Sequence, residues 1–484
     1  MVEVKIGLET HVQLDTDTKL FCGCPNSEAE EPNTHVCETC LGHPGSKPRL
    51  NKQVLEEAVK TSLALDCDIN EDVFFSRKTY FYPDMNKNYQ ITQYEVPVGG
   101  TGSIDIKVGD SQKEVSISRL HMEEDPAKLE HVGGSVADAE YTRVDYNRSG
   151  TPLLEIVTEP VFESPEEARA YLQQLSRMLE YLGVYEPESD YAIKSDANIS
   201  IEGGARVEVK NITGTAGIEK ALSYEISRQR QLKRRNREVE QETRSYSADQ
   251  EITERLREKE HEEDYGYIFD PDLTRQELDE KFREEMKDEI PELPHEKFER
   301  FKQQYGISDK QVESLITDPA LADDYEELAE EHDPELTASW LTGELKKTLN
   351  YIDVGYSESA VSLRFLHELL TLIEEDEISD RNAEKLVREE VEEPTLLTDS
   401  AEMSMDVEES RLRERAEDQD LLKAEESEVD EIVEKVIEEN PDAVEDYESG
   451  EEGALNFLVG QVMQSSGGKA DPKTAREKIE ERLG

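Results

Sequence analysis

Cationic side chains are scarce in this 484-residue chain, where 55 Lys and Arg face 115 Asp and Glu for a net charge of −60. Any contact with nucleic acid must therefore rest on local exceptions, because no broad positive surface is available. Apolar residues are also sparse, at 35%. That figure approaches the range of unfolded chains, yet the apolar positions recur with strand and helix periods, which disorder does not require. The surplus acid fits exposed faces of a protein adapted to molar salt, where the Debye length is only about 3 Å and like charges repel little. No apolar run approaches the ~20 residues of a membrane span, and the opening "MVEVKIGLE" lacks the layout of a signal peptide. Five cysteines in a chain of this length exclude a secreted disulfide scaffold. A reducing, cytoplasmic setting is expected, with neither a membrane nor DNA as partner. Two nucleotide signatures are missing as well: there is no G-x-x-x-x-G-K-[ST] loop and no glycine-rich dinucleotide fingerprint.

What is present begins at "IGLETHVQL", residues 6–14. With a period of two, Ile6, Leu8, Val12 and Leu14 share one face with Thr10, while Gly7, Glu9, His11 and Gln13 share the other. The pattern predicts a strand with one packed face and one face carrying a carboxylate, an imidazole and an amide. "KSDANISI" sets Asp196, Asn198 and Ser200 against Ala197, Ile199 and Ile201; "GARVEVKNI" sets Arg206, Glu208 and Lys210 against Val207 and Val209. "RLHMEEDPAK" offers His121, Glu123, Glu124 and Asp125, and "GTPLLEIVTEP" places Glu155 inside an apolar run. A solvated strand face explains any one of these; together they suggest several strands whose polar sides meet on one concave surface. A buried carboxylate such as Glu155 is costly unless paired or metal-bound. Oxygen-rich sites with one or two carboxylates per ion suit Mg²⁺ carrying nucleotide phosphates. Lys78, Arg148, Arg206, Lys210, Arg244, Arg257 and Lys259 are then candidates to neutralise phosphate oxygens of ATP.

Four cysteines crowd into "FCGCPNSEAEEPNTHVCETC": Cys22, Cys24, Cys37 and Cys40. Two close pairs across a short loop predict a closed tetrahedral thiolate site holding a structural Zn²⁺, against the alternative of four free thiols. His35 and His43 are nearby substitute ligands or ordinary loop residues. Cys67 ends an apolar run and reads as a buried thiol.

Residues 1–289 alternate strands and turns with a few helices, the clearest being "SPEEARAYLQQLSRMLEYLG" with Ser164 as N-cap, Pro165 at the first position and Gly183 as stop. After "IPELP" the strands fade and helical patterns follow, including "LTASWLTGELKKTLNY" around Trp340. Residues 395–425 are acidic and read as a linker or exposed helix, and "GALNFLVGQVMQS" restores an apolar run near the end. The predicted fold is α+β: a mixed or antiparallel sheet cradle with a zinc-stapled loop (1–289), a helical domain (290–415) and a small helical tail (416–484). "SSGGKA" in the tail resembles a fragment of an amidase site but has no body around it to build an oxyanion hole.

The blocks "IGLETHVQL", "RKTYFYPDMNKNYQITQYEVPV", "RLHMEEDPAK", "DYNRSGTPLLEIVTEP", "SDANISI", "VEVKNI", "QETRSY" and "REKEHEEDYGYIFDPDL", with "FLVGQVMQ" in the tail, resemble the successive signatures of the B subunits of aspartyl/glutamyl-tRNA amidotransferases. The resemblance implies a subunit that binds mischarged Asp-tRNA(Asn) or Glu-tRNA(Gln) and uses ATP and Mg²⁺ to phosphorylate the side-chain carboxylate. Ammonia from a glutaminase A subunit then gives the amide, with a small C subunit completing a heterotrimer. Carried over by motif, Glu9, His11, Glu124, Glu155 and Glu208 are the metal- and phosphate-handling residues; of the adjacent Glu123 and Glu124, the resemblance takes Glu124. The chain departs from the family wording at Ile193, Lys194 and Ser195 and in "KNITGTAGIEKAL". Between "DYGYIFDPDL" and "IPELP" there is no room for the inserted domain of the related archaeal E subunit, so a B subunit is expected.

Within the acidic whole, "SRQRQLKRRNR" gathers Arg228, Arg230, Lys233, Arg234, Arg235 and Arg237, either as a phosphate contact or as a solvated helix. Tyr80, Tyr82 and Tyr89 are available to stack a base or to pack in a strand core. The tail is expected, by resemblance, to read the tRNA body. The competing interpretation is a noncatalytic, zinc-stapled RNA-binding or scaffolding subunit.

Overall fold

The computed structural model describes residues 3–109, 111–133, 139–187, 193–258, 265–392, 411–423, 426–449, 452–467 and 469–484. Two compact units divide the chain, Met1–Pro294 and His295–Gly484.

Among its described residues the first unit carries fifteen strands: β1 (Val4–Gln13), β2 (Asp72–Val73), β3 (Ser76–Thr79), β4 (Tyr89–Thr92), β5 (Gly102–Val108), β6 (Ser111–Glu124), β7 (Lys128–Val132), β8 (Tyr141–Asp145), β9 (Pro152–Thr158), β10 (Lys194–Ile201), β11 (Val207–Thr213), β12 (Glu242–Ser247), β13 (Ile252–Glu258), β14 (Ile268–Phe269) and β15 (Gln276–Glu277). Eight of them form one sheet in the order β13-β12-β11-β10-β1-β9-β6-β5, and small sheets β14-β3-β4, β15-β2 and β7-β8 flank it. Within the large sheet all neighbours are antiparallel except β11 and β12.

Among the described residues of this unit there are four helices: α1 (Lys52–Ala64), α2 (Pro165–Tyr181), α3 (Gly214–Arg234) and α4 (Glu280–Asp288). Helix α3 lies on β10, β11 and β13, α2 packs on α3 and β5, and α1 packs on β6. The sheet is therefore layered on one face by helices. That face is the apolar one: Ile6, Leu8, Val12 and Leu14 are fully buried, as are Ala197, Ile199, Ile201, Val207 and Val209. Each large aliphatic side chain so buried contributes roughly 2 kcal/mol, which fixes which way every strand of alternating pattern must turn.

Helix α2 starts as its sequence predicts: Ser164 Oγ accepts from Glu167 N–H at 3.3 Å and Pro165 occupies the first turn. Glu167 Oε2 in turn accepts from Glu163 N–H at 2.8 Å, one residue before the N-cap. Gly183, with φ +67°, makes the left-handed stop.

The second unit is helical. One apolar cluster runs from Phe301 to Leu421 and a separate one from Val429 to Ile479. Trp340 packs beside the first cluster and opens a π-helical turn at Leu341–Leu345. Helix Arg411–Asp418 buries Leu412 and Ala416 in that cluster. Its other residues are mostly exposed, so of the two readings of the acidic stretch 395–425, a linker or an exposed helix, this part is a helix with one narrow buried edge. The part of that stretch from 393 to 410 lies outside the described residues. Among the described residues no helix is long and apolar enough to cross a membrane.

Candidate active site

The face of the sheet opposite the helices answers why β1 lines up Glu9 and His11. Strand β1 sits between β10 and β9, so its polar side meets theirs. His11 is in register with Glu155 of β9, and Glu155 with His121 of β6. Glu9 is in register with Asp196 of β10, and Asn198 with Glu208 of β11. Five adjacent strands thereby deliver two trios side by side, His11–Glu123–Glu155 and Glu9–Asp196–Glu208, each with its ligand-type atoms within 4.8 Å of one another. Since Glu9 and His11 are two residues apart on one strand, the trios are offset by roughly 7 Å along it.

In the first trio, His11 Nε2 lies 3.3 Å from Glu155 Oε2 and 3.6 Å from Glu123 Oε1, and His121 Nε2 lies 3.5 Å from Glu155 Oε2. Burial opposes the charge on His11, but the bond and attraction to Glu155 outweigh it and push its pKa up to about 10. Burial likewise opposes ionisation of Glu155, yet His121 and His11 hold it well below the usual carboxylate range. Glu123 moves the other way, raised by burial and by repulsion from Glu155. Two carboxylates with unlike proton affinities beside two imidazoles make a site that takes a divalent cation in exchange for the His11 proton, since only the neutral imidazole offers Nε2 as a ligand.

The second trio is held by neighbours. Glu9 Oε1 accepts from Asn198 Nδ2 at 2.9 Å, Glu208 Oε2 from Thr243 Oγ1 at 2.8 Å, and Asp196 Oδ1 from Asn211 N–H at 3.1 Å. Lys210 Nζ stands 2.5 Å from Asp196 Oδ2 and 3.4 Å from Glu208 Oε1. Burial works against its charge, but Asp196 and Glu208 prevail and raise its pKa. Glu9 is raised by burial and by Glu155, with Lys210 opposing.

Not every residue singled out from the sequence reaches this face. Glu124 does not: along β6, Arg119, His121 and Glu123 alternate with Leu120, Met122 and Glu124, so Glu124 points to the other side. There it is ion-paired with Lys87 and accepts from Ile91 N–H at 2.8 Å. Glu123 takes its place in the trio, and the alternation of "RLHMEE" carries that distinction. Asp196, visible on the polar side of its strand but not selected, completes the second trio. Arg244 also faces the helices. In "ETRSYS", Glu242, Arg244 and Tyr246 alternate with Thr243 and Ser245; Arg244 Nη1 pairs with Glu242 at 3.0 Å, and its Nε donates to Thr253 Oγ1 at 2.8 Å and lies 3.6 Å from Glu225. Arg148 clamps Asp125 with both Nε and Nη2. Lys78 is close enough to favour the ionised form of Glu123 and lies 4.9 Å over the Tyr265 ring. Arg257 is paired by backbone with Thr243, its side chain lying outside the described part, and Lys259 lies outside the described residues. In the basic run, Arg228 is tied to Glu225 and Glu242 and Lys233 to Ile201 O, while Arg230, Arg234, Arg235 and Arg237 are exposed. Among the tyrosines, Tyr89 lies under the Arg77 guanidinium at 4.4 Å and Tyr82 is exposed.

The cysteine loop forms a second cluster. The four Sγ atoms of Cys22, Cys24, Cys37 and Cys40 lie within 4.8 Å of one another, with Cys37 and Cys40 sulfurs 3.9 Å apart. Hydrogen bonding from Cys22, helped by Lys19, pulls Cys40 down to about 5, so a thiolate is favoured there. Buried Lys19 anchors the loop by donating to the carbonyls of His35 at 2.8 Å and Ser149 at 2.9 Å. A cavity of about 240 Å³ opens beside it, lined in part by Cys22, Cys40, Arg77, Lys87 and Glu124. Cys67 is a buried thiol pushed up to about 12 by burial.

Residues 4–284 match the family described as the GatB/GatE catalytic domain, and residues 323–483 match the GatB domain. Proteins named as the B subunit of aspartyl/glutamyl-tRNA(Asn/Gln) amidotransferase are similar over nearly their whole length. That of Natronomonas pharaonis is 44% identical, covering 99% of this chain and 97% of the relative. That of Haloquadratum walsbyi is 43% identical over 99% and 96%, and that of Methanospirillum hungatei 44% identical over 97% and 96%. With its catalytic-domain match and these full-length likenesses, the chain belongs to the GatB/GatE family of aspartyl/glutamyl-tRNA amidotransferase B subunits.

Proposed function

We propose that the first unit activates the side-chain carboxylate of Asp or Glu carried on Asp-tRNA(Asn) or Glu-tRNA(Gln), as the B subunit of a tRNA-dependent amidotransferase. The observation that carries this reading is the pair of trios on five adjacent strands, at the centre of the region matching the catalytic domain. A carboxylate resists attack by ammonia because oxide is a poor leaving group. Its oxygen attacks the γ-phosphorus of ATP and ADP departs; ammonia then attacks the carbonyl carbon, phosphate leaves and a proton is lost, giving the amide. Neither step needs a covalent nucleophile from this chain, so its work is to position reactants and neutralise charge.

His11, Glu123 and Glu155 would hold one Mg²⁺ and Glu9, Asp196 and Glu208 a second. The donor sets suit it: oxygen-rich, with a nitrogen in the first, and with burial and mutual repulsion raising Glu123 and Glu9 in a way a divalent ion relieves. Bound Mg²⁺ supplies neutralisation of the phosphate oxygens. His121 steadies Glu155, Thr243 and Asn198 steady Glu208 and Glu9, and Lys78 adds charge at the edge. Cys22, Cys24, Cys37 and Cys40 would hold a structural Zn²⁺, consistent with tetrahedral spacing and the lowered Cys40 thiol. Ammonia would come from an amidase A subunit, with a C subunit completing a cytoplasmic heterotrimer. We assign the cradle to 1–289, a helical domain from 290 that the sequence bounded at 415 but whose apolar cluster runs on to Leu421, and a tRNA-contacting tail beyond it. A purely scaffolding subunit accounts for the cysteine loop but not for the trios.

The test is ATP hydrolysis by the reconstituted complex in the presence of mischarged tRNA. Glu155→Gln and Glu208→Gln should abolish it with folding intact; full transamidation by either variant would sink the metal-site assignment.

A further inference from the structure

The Glu9–Asp196–Glu208 trio already contains a cation belonging to the protein. Its origin is local. Between Ser195 and Ala197 the β10–β11 register shifts, so that Asp196 alone faces both Lys210 and Asn211. This is a β-bulge, and Asn211 takes the left-handed conformation, φ +62°, that an asparagine tolerates. The bulge aims two donors at one carboxylate: Asn211 N–H at Asp196 Oδ1 and Lys210 Nζ at Asp196 Oδ2.

Two kinds of partner then divide the carboxylate oxygens. One oxygen each of Glu9, Glu208 and Asp196 is anchored by Asn198, Thr243 and the Asn211 backbone, none of which involves the lysine. The ammonium lies against the second oxygens of Asp196 and Glu208. Withdrawal of the lysine therefore leaves the anchors, and the shape of the trio, in place. The Lys210 side chain is 31% exposed, so part of it already meets solvent. An ammonium and a divalent ion compete for these oxygens, because each lone pair turned to Lys210 is one fewer for the ion and the two cations repel at such separations.

We propose that Lys210 is the resident counter-cation of this trio in the unloaded protein, and that a divalent ion enters only as the ammonium withdraws; the inference rests on the metal reading given above. The withdrawn ammonium, still on its four-carbon stem, is then placed to meet a phosphate oxygen. Loading of the second trio becomes coupled to arrival of the nucleotide, whereas the His11–Glu123–Glu155 trio loads without it, by release of the His11 proton to solvent.

The experiment is titration of the full-length chain with Mn²⁺ at constant KCl, read by electron paramagnetic resonance without nucleotide. The unsubstituted protein should bind one ion per chain tightly, lost in Glu155→Gln, and a second at least tenfold more weakly. Lys210→Gln should tighten the second ion at least tenfold, and Lys210→Arg should not. If Lys210→Gln leaves the second affinity unchanged or weaker while the first ion binds normally, the exchange is refuted and the metal reading stands. Absence of both ions from every protein refutes the two together. A measurement on the unsubstituted protein is independent of any folding defect: acylation of Lys210 by an amine reagent, mapped by mass spectrometry, should rise severalfold on Mn²⁺ saturation. Unchanged reactivity with two ions bound overturns the proposal.

Discussion

Glu123 and Glu124 are neighbours in sequence, yet removal of their charges should have opposite consequences. Glu124→Gln takes the negative partner from Lys87, itself buried, while the glutamine oxygen still accepts from Ile91 N–H. Stranding a buried ammonium costs about 3 kcal/mol, toward the lower end of the range for a broken buried ion pair because the acceptor survives. For a unit of this size that corresponds to a fall of roughly 6 °C in the thermal midpoint. Glu123→Gln instead removes a carboxylate whose ionisation burial and Glu155 already oppose. Its midpoint should hold or rise by a few degrees, and tRNA-dependent ATP hydrolysis should fall at least 100-fold, as a lost charge-stabilising contact implies (about 3 kcal/mol). Differential scanning calorimetry and ATP turnover on the same preparations measure both. A stable, inactive Glu124→Gln beside an unstable, active Glu123→Gln would refute the strand-parity argument on which the site is built.

Other perturbations act away from the trios. Glu57 on α1 has Oε2 buried without a hydrogen-bond partner, and burial raises it from 4.5 to about 7. A carboxyl raised on folding supports the fold below its unfolded pKa and loses that support as pH climbs through 7, so Glu57→Gln should add up to roughly 3 kcal/mol at pH 8 and less than about 1 kcal/mol near pH 5; equal gains at both in chemical denaturation would contradict this. Arg244→Met should cost about 3 kcal/mol through the buried Glu225 and Glu242 while leaving the KM for ATP unchanged; a raised KM with stability intact would return Arg244 to the phosphate-binding group. Metal analysis of protein prepared under reducing, chelator-free conditions should give about one zinc per chain, and Cys37→Ser should lower both zinc content and thermal midpoint. Zinc-free protein of undiminished stability would remove the zinc proposal.

How much of this was legible in the sequence follows from what alternation can and cannot encode. A period of two states which side chains share a face, and it placed Glu9 with His11, Asp196 with Asn198 and Glu208 with Lys210. The same rule, applied through "RLHMEE" and "ETRSYS", separates Glu123 from Glu124 and turns Arg244 toward Tyr246 and the helices. The motif resemblance pointed to the block but not to the side of the strand. Strand order is another matter. Nothing in residues 4–13 states that their neighbours are residues 152–158 and 194–201, and that adjacency brings Glu9 to Asp196 and His11 to Glu155. The bulge that turns Lys210 onto Asp196 is equally silent, because it depends on a register shift between two paired strands. The cysteines were readable because their spacing is short, and helix Arg411–Asp418 was hard to tell from a linker because it buries only two side chains, Leu412 and Ala416, within a stretch of acidic composition.

The claim at the centre is that a side-chain carboxylate becomes an acyl phosphate before it becomes an amide. Mischarged tRNA whose side-chain carboxylate carries oxygen-18 in both positions tests it directly in the complete complex with ATP and an ammonia source. Each amide formed should release one inorganic phosphate bearing a single oxygen-18, detected by mass spectrometry. Phosphate free of the label, with amide formed at the normal rate, would contradict the account.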